Sequence, residues 1–120
     1  MTRPTHAQLV TTLKKPGADI LAKLTPQQAD LIHMAIGVAG ESGELLDAVK
    51  RFAIYQKPID MENIIEELGD IEFFLEGIRQ ILSIMREHTL QANITKLSKR
   101  YEGLVYSDQR AIDRADKVSA

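Results

Sequence analysis

Cysteine and tryptophan are absent from the 120-residue chain, which has only three tyrosines and three phenylalanines. Without cysteine there is no disulfide framework, no thiolate metal site and no cysteine nucleophile. So few aromatic rings do not suffice for a surface on which single-stranded nucleic acid stacks. The longest charge-free apolar stretch, Leu31 to Gly40, has about half the length of a membrane span. Because Met1 to Thr12 also lacks the apolar core of a signal peptide, we expect a soluble, cytoplasmic protein without a membrane partner.

Acidic residues are concentrated in one central segment. Residues 60–88 carry eight acidic and two basic side chains, whereas residues 1–59 and residues 89–120 each have two more basic than acidic ones. The net charge of -2 argues against a general nucleic-acid binder. A solvated helix face and a cation-binding site are the two explanations for the central acidic surplus.

Capping residues and apolar periodicity divide the chain into helices. Thr25 followed by Pro26 is typical of a helix start, with threonine as the N-cap and proline in the first turn. Asp60 and Thr89 are the corresponding N-cap candidates further along the chain. The long helices predicted in this way run from Gln27 to about Tyr55, from Met61 to about Met85 and from Leu90 to about Tyr101.

Shorter elements complete the predicted fold. Thr5 starts a short helix that ends at Lys14, Asp19 to Leu24 forms a further turn, and residues 102–120 form an irregular tail. No alternating pattern predicts a β-sheet. We expect one domain over residues 1–120 with its core at about residues 26–101. Its fold class is all-α, an antiparallel bundle of about four helices per chain that oligomerisation completes.

Two carboxylates of the second long helix do not lie on its solvated face. Glu62, Glu72 and Glu76 belong to that face, opposite a stripe of leucines and isoleucines. Glu67 and Asp70 instead follow the strip where the helix should pack against a neighbour.

The first long helix carries a similar pair. Glu41 lies at the edge of its apolar face and Glu44 one step further round, next to Gly37, Gly40 and Gly43. Glycine costs about 1 kcal/mol in a helix interior relative to alanine, so the close approach of a backbone or a ligand is expected there.

The two pairs should meet. The i, i+3 spacing places both members of each pair on one helix face, and the short turn at Lys57-Pro58 makes the two helices antiparallel neighbours. Four converging carboxylates need a counter-charge, which a hard cation such as Mg²⁺ or Mn²⁺ supplies. A coincidence of surface acids is the alternative explanation for either pair alone.

The third long helix carries an amide and two cations on one flank, at Asn93, Lys96 and Arg100. They are either part of the solvent-exposed face of an amphipathic helix or ligands of a polyphosphate that the metals hold.

The motifs resemble those of the MazG-like all-α nucleoside triphosphate pyrophosphohydrolases. The resemblance covers roughly residues 26–117 and rests on three segments. They are Gly37-x-x-Gly40-Glu41-x-Gly43-Glu44-Leu45, Glu66-Glu67-Leu68-Gly69-Asp70 and Asn93-x-x-Lys96-Leu97-x-x-Arg100-Tyr101. The chain departs from many members at Gly40, where they have a further glutamate.

The resemblance implies a Mg²⁺-dependent enzyme, for which Mn²⁺ can substitute, that hydrolyses (deoxy)nucleoside triphosphates to the monophosphate and pyrophosphate with metal-activated water. The implied role is house-cleaning of the nucleotide pool by a homodimer or homotetramer. The implied metal ligands and catalytic residues are Glu41, Glu44, Glu67 and Asp70. The implied substrate-binding residues are Asn93, Lys96, Arg100 and Tyr101.

Two other functions stay open at this point. A non-enzymatic helical dimerisation module would explain the apolar helix faces but not the inward carboxylates. A phosphoribosyl-ATP pyrophosphohydrolase shares the metal carboxylates, so a substrate assay is needed to separate it.

Overall fold

The computed structural model describes residues 2–117, which form helices and turns and contain no β-strand. The predicted all-α class is therefore confirmed. The α-helices of this range are α1 (His6–Leu13), α2 (Gly17–Lys23), α3 (Pro26–Ala53), α4 (Met61–Leu82), α5 (Arg86–Arg100) and α6 (Asp108–Asp113), with 3₁₀ turns at Glu102–Leu104 and Ala115–Lys117. None of the helices described is long and apolar enough to cross a bilayer.

Side-chain caps start the two long helices where the sequence predicts them. The Thr25 hydroxyl accepts a hydrogen bond from the Gln28 amide at 3.1 Å, and the Gln28 side chain accepts one from the Thr25 amide at 2.9 Å. The Asp60 carboxylate accepts from the Asn63 amide at 3.1 Å. Each bond satisfies a backbone donor that has no partner inside the helix, which fixes the first turn.

Two predictions about the C-terminal third are wrong. The third long helix begins at Arg86 rather than at Leu90, so Thr89 lies inside α5 instead of capping it. The tail is not irregular, because Ser107 accepts from the Arg110 amide and starts α6. The last positions of that predicted tail, 118–120, lie outside the described residues.

Helices α3 and α4 form an antiparallel pair. Met34 contacts Gly77, and Gly37 contacts Phe74, so the residue numbers fall along α4 as they rise along α3. A Cβ atom at Gly37 would overlap the ring of Phe74. The glycine therefore lets the aromatic side chain lie directly against the α3 backbone.

The predicted four-helix bundle does not form within the described part of the chain. Its tertiary packing consists mainly of the α3–α4 pair and of contacts between α5 and the segment that follows it. Only Ala48 and Glu67 are buried among residues 2–117. The radius of gyration is 20.5 Å, against about 14 Å for a compact domain of this length. The chain is therefore an open arrangement of helices that leaves much apolar surface exposed.

Candidate metal centre

Three of the four predicted carboxylates meet between α3 and α4. Glu41 of α3 and Glu67 and Asp70 of α4 each offer an oxygen, and these oxygens lie within 4.8 Å of one another. The antiparallel register brings them together, because the Gly37–Phe74 contact sets positions 41 and 67–70 at similar heights.

Glu44 is exposed and stands outside this group of three oxygens. Its charge nevertheless acts on Glu67 and contributes to raising the pKa of that carboxyl. Glu44 is therefore a neighbour of the cluster in this structure rather than a member of it.

Glu67 has an electrostatically unfavourable position. Glu67 is only 8% exposed, and its Oε2 atom has no hydrogen-bond partner among residues 2–117. The hydrogen bond with Glu41, burial, and the charges of Glu41, Asp70 and Glu44 raise the pKa of Glu67 to about 7. A buried acceptor without a partner is costly, and neighbouring negative charges increase that cost.

The donor set fits a hard divalent cation. All the contributing atoms are carboxylate oxygens, which such cations prefer. A cation would give Glu67 Oε2 the partner that the described part of the chain does not supply, and its charge would offset the repulsion among the acids. The residues present are therefore suited to hold a metal ion.

Arg100, a predicted substrate-binding residue, is engaged within the chain. Its Nε donates to Asp116 Oδ1 at 2.7 Å and its Nη2 donates to Asp116 Oδ2 at 3.2 Å. Both side chains are largely covered, at 15% and 5% exposure. The pair raises the pKa of Arg100 and lowers the pKa of Asp116, mainly through the hydrogen bonds between them. It ties the last 3₁₀ turn to α5.

The other predicted substrate-binding residues of α5 differ in their surroundings. Lys96 lines an open groove of about 480 Å³ between α5 and the last 3₁₀ turn. Asn93 is exposed. The ring of Tyr101 lies beside that of Tyr106, with 5.5 Å between the two ring centroids. The structure therefore places these side chains on α5, whereas the three-carboxylate group lies between α3 and α4.

Sequence reasoning missed Asp116. The residue is 16 positions from Arg100, and no helical spacing connects positions so far apart. Only the fold of the C-terminal segment shows that the two side chains pair.

Residues 30–105 match the model of the MazG nucleotide pyrophosphohydrolase domain. No curated protein and no solved structure matches the chain. The matched segment contains the three-carboxylate group and covers more than half of the 120 residues. The chain therefore belongs to the MazG nucleotide pyrophosphohydrolase family.

Proposed function

We propose that the protein hydrolyses (deoxy)nucleoside triphosphates to the monophosphate and pyrophosphate in a reaction that requires Mg²⁺, with Mn²⁺ as a substitute. The observation that carries this proposal is the buried, unpartnered Oε2 of Glu67 in a group of three carboxylates. The family match over residues 30–105 supports the reaction class.

The carboxylates have distinct proposed roles. Glu41, Glu67 and Asp70 hold the cation through their clustered oxygens. A cation bound there supplies Lewis-acid chemistry, since it offsets phosphate charge and makes water more acidic. Glu44 lies outside the three-oxygen group, so its carboxylate is our candidate for accepting a proton from the attacking water. No nucleophilic side chain is needed for such a hydrolysis.

The proposed contacts to the triphosphate come from α5. Lys96 lines a groove and provides a compact positive charge of the kind that binds phosphate. Asn93 is the proposed amide donor beside it, and Arg100 and Tyr101 complete the set proposed from the sequence. Arg100 has Asp116 as its partner in the structure, so a direct contact to phosphate would require that pair to open.

The proposed biological unit is a homodimer or a homotetramer, acting in the cytoplasm on the nucleotide pool. The exposed apolar side chains support an oligomer: Ile36 is 64% exposed, Leu46 67% and Phe73 66%. Burying such side chains against another subunit is favourable by about 1.5–3 kcal/mol for each fully covered residue.

The function is tested by measuring pyrophosphate release from a panel of ribo- and deoxyribonucleoside triphosphates and phosphoribosyl-ATP with Mg²⁺. Glu67→Gln and Asp70→Asn should each lower turnover about 100-fold or more, because even groups that only orient a metal ligand contribute about 10–100-fold. Glu62→Gln removes an exposed carboxylate in the first turn of α4 and should leave turnover within twofold.

Three results would count against the proposal. Turnover that persists in both ligand variants contradicts the assigned cluster. Release of pyrophosphate from phosphoribosyl-ATP alone changes the substrate class. Absence of turnover together with absence of Mg²⁺ and Mn²⁺ binding in calorimetry favours the non-enzymatic module. Glu67→Gln removes a negative charge that the neighbouring carboxylates repel. Loss of folding is therefore not expected, and circular dichroism checks this.

A further inference from the structure

The groove between α5 and the last 3₁₀ turn is lined by several positive side chains. Lys96 and Lys99 come from α5, and Lys117 comes from the turn at Ala115–Lys117. His88 and Thr95 also line the groove, and its volume is about 480 Å³. Lys96 and Lys99 share this side of α5 because they are three residues apart.

The Arg100–Asp116 pair forms one side of this groove. Asp116 lines the groove, but both of its oxygens are bound by the Arg100 guanidinium, at 2.7 Å and 3.2 Å. Lys117 Nζ also lies 4.0 Å from Asp116 Oδ2. Arg100 and Lys117 therefore share the negative charge of Asp116, and together with Lys96 and Lys99 they leave the groove with an excess of positive charge. The same pair fixes the backbone position of Lys117, the next residue along the chain.

We propose that this groove binds the phosphate chain of the nucleotide, with Lys99 and Lys117 as binding residues in addition to Lys96 and with Asp116 as the residue that positions Lys117. The identity of the ligand rests on the proposed function. The cationic groove itself is a property of the chain and can be tested without turnover.

The chemistry of the lining favours phosphate over other parts of a nucleotide. Flexible ammonium groups are point charges that can surround phosphoryl oxygens from several sides, and hydrogen bonds between ionised groups are the stronger ones. Among the described residues, no Phe, Tyr or Trp lines the groove, so they offer a base no large ring to stack on there. The groove also complements the acidic centre, since phosphate charge not neutralised by a cation needs positive side chains.

The direct test is calorimetric titration of tripolyphosphate into the full-length protein in a chelator, without any divalent cation. Lys117→Gln and Lys99→Gln should each weaken binding about fivefold, the factor that corresponds to about 1 kcal/mol for an exposed charge pair. The matched control is Lys57→Gln, which removes the same charge from the exposed loop between α3 and α4 and should change the affinity by less than twofold.

Two outcomes of this titration overturn the proposal. One is the absence of measurable binding by the unaltered protein at millimolar tripolyphosphate. The other is an equal loss of affinity in Lys117→Gln and Lys57→Gln, which shows that only the overall charge matters.

The positioning role of Asp116 predicts a change in tripolyphosphate affinity opposite to the change expected from its charge alone. Removing a negative charge beside the groove by Asp116→Asn should strengthen anion binding if the charge acts alone. If Asp116 positions Lys117 through its ion pairs with Arg100 and with Lys117 itself, the same variant should weaken tripolyphosphate binding, and Asp116→Glu should restore part of it. A gain of affinity in Asp116→Asn contradicts the positioning role and shows that Asp116 competes with phosphate for Arg100.

Steady-state kinetics separate this inference from the proposed function. With Mg²⁺ and a nucleotide substrate, Lys117→Gln should raise KM about fivefold and keep kcat within twofold. An unchanged KM in an active enzyme overturns the inference and leaves the proposed function intact. An inactive enzyme that still binds tripolyphosphate through Lys117 overturns the proposed function and supports the cationic groove.

Discussion

Glu67 combines two properties that rarely occur together in a structural residue. It is only 8% exposed, and none of the residues that the structure describes forms a hydrogen bond with its Oε2. Its pKa is raised to about 7, chiefly by the hydrogen bond with Glu41 and by burial. A titratable group perturbed by burial and by specific charged neighbours is a candidate for a functional site. If the proposed cation binds there, a proton and the cation compete for the same carboxylate.

The competition predicts that metal binding strengthens with pH. With a pKa of about 7, Glu67 is mostly protonated at pH 6 and mostly ionised at pH 8. Because a cation needs the ionised form, Mg²⁺ affinity should rise about tenfold between these pH values. Calorimetric titration of the metal-free protein with Mg²⁺ at both pH values measures this difference.

Matched variants make the pH test specific. Glu67→Gln should bind Mg²⁺ weakly and lose the pH dependence, whereas Glu62→Gln should keep both the affinity and the pH dependence. An affinity of the unaltered protein that is equal at pH 6 and pH 8 contradicts the role assigned to Glu67.

The α3–α4 pair shows how a small residue positions charged ones. Gly37 lies under the Phe74 ring, whereas a Cβ at Gly40 or Gly43 would meet nothing within 4 Å. The sequence indicates only that these glycines of α3 allow a close approach by another group. The structure shows that Gly37 has such a contact and that Gly40 and Gly43 do not. That contact sets the register in which Glu41 faces Glu67.

Alanine substitutions in this turn should therefore have opposite effects on stability. Gly37→Ala should destabilise the protein by about 1–3 kcal/mol, because Phe74 must move to accommodate the added methyl group. Gly43→Ala should stabilise it by about 0.5–1 kcal/mol through helix propensity. Urea denaturation at one fixed protein concentration measures both free energies of unfolding. Equal stabilities of the two variants would contradict the packing described for Gly37.

The accuracy of the sequence-based prediction also differs between elements. The starts of α3 and α4 are predictable, because Thr25 and Asp60 cap them through hydrogen bonds to residues three positions later. The start of α5 is not, because α4 ends at Ser83 in the left-handed conformation, at φ 56°. A serine carries no strong signal for that conformation, which glycine or asparagine usually adopts.

At the scale of the whole molecule, the chain exposes more surface than a compact monomer should. Its accessible surface is 9992 Å², against about 6,500 Å² expected for a folded monomer of 13.4 kDa. Large apolar side chains contribute to this excess, among them Leu46 and Phe73. Exposed apolar surface of this extent supports the proposal that a second copy of the chain covers these side chains.

We expect the protein to be at least a dimer at micromolar concentration. Leu46→Lys places a charge on the exposed apolar face of α3 and should shift the oligomer toward the monomer, whereas Gln80→Lys adds the same charge at an exposed polar position of α4 and should not. Sedimentation velocity measures the mass of each variant. A monomeric mass for the unaltered protein would contradict the expected oligomer.

The sequence by itself determined the helical class, the starts of α3 and α4 and the two carboxylate pairs, because caps and apolar periodicity depend on residues within one or two turns. Only the tertiary structure decided that Glu41, Glu67 and Asp70 meet while Glu44 stays exposed. Residues three positions apart on a helix point in directions that differ by about 60°. The register of α3 against α4 therefore decides which of the two side chains reaches the contact between the helices. The pairing of Arg100 with Asp116 was likewise decided by the fold, since only long-range packing brings residues so distant in the chain into contact.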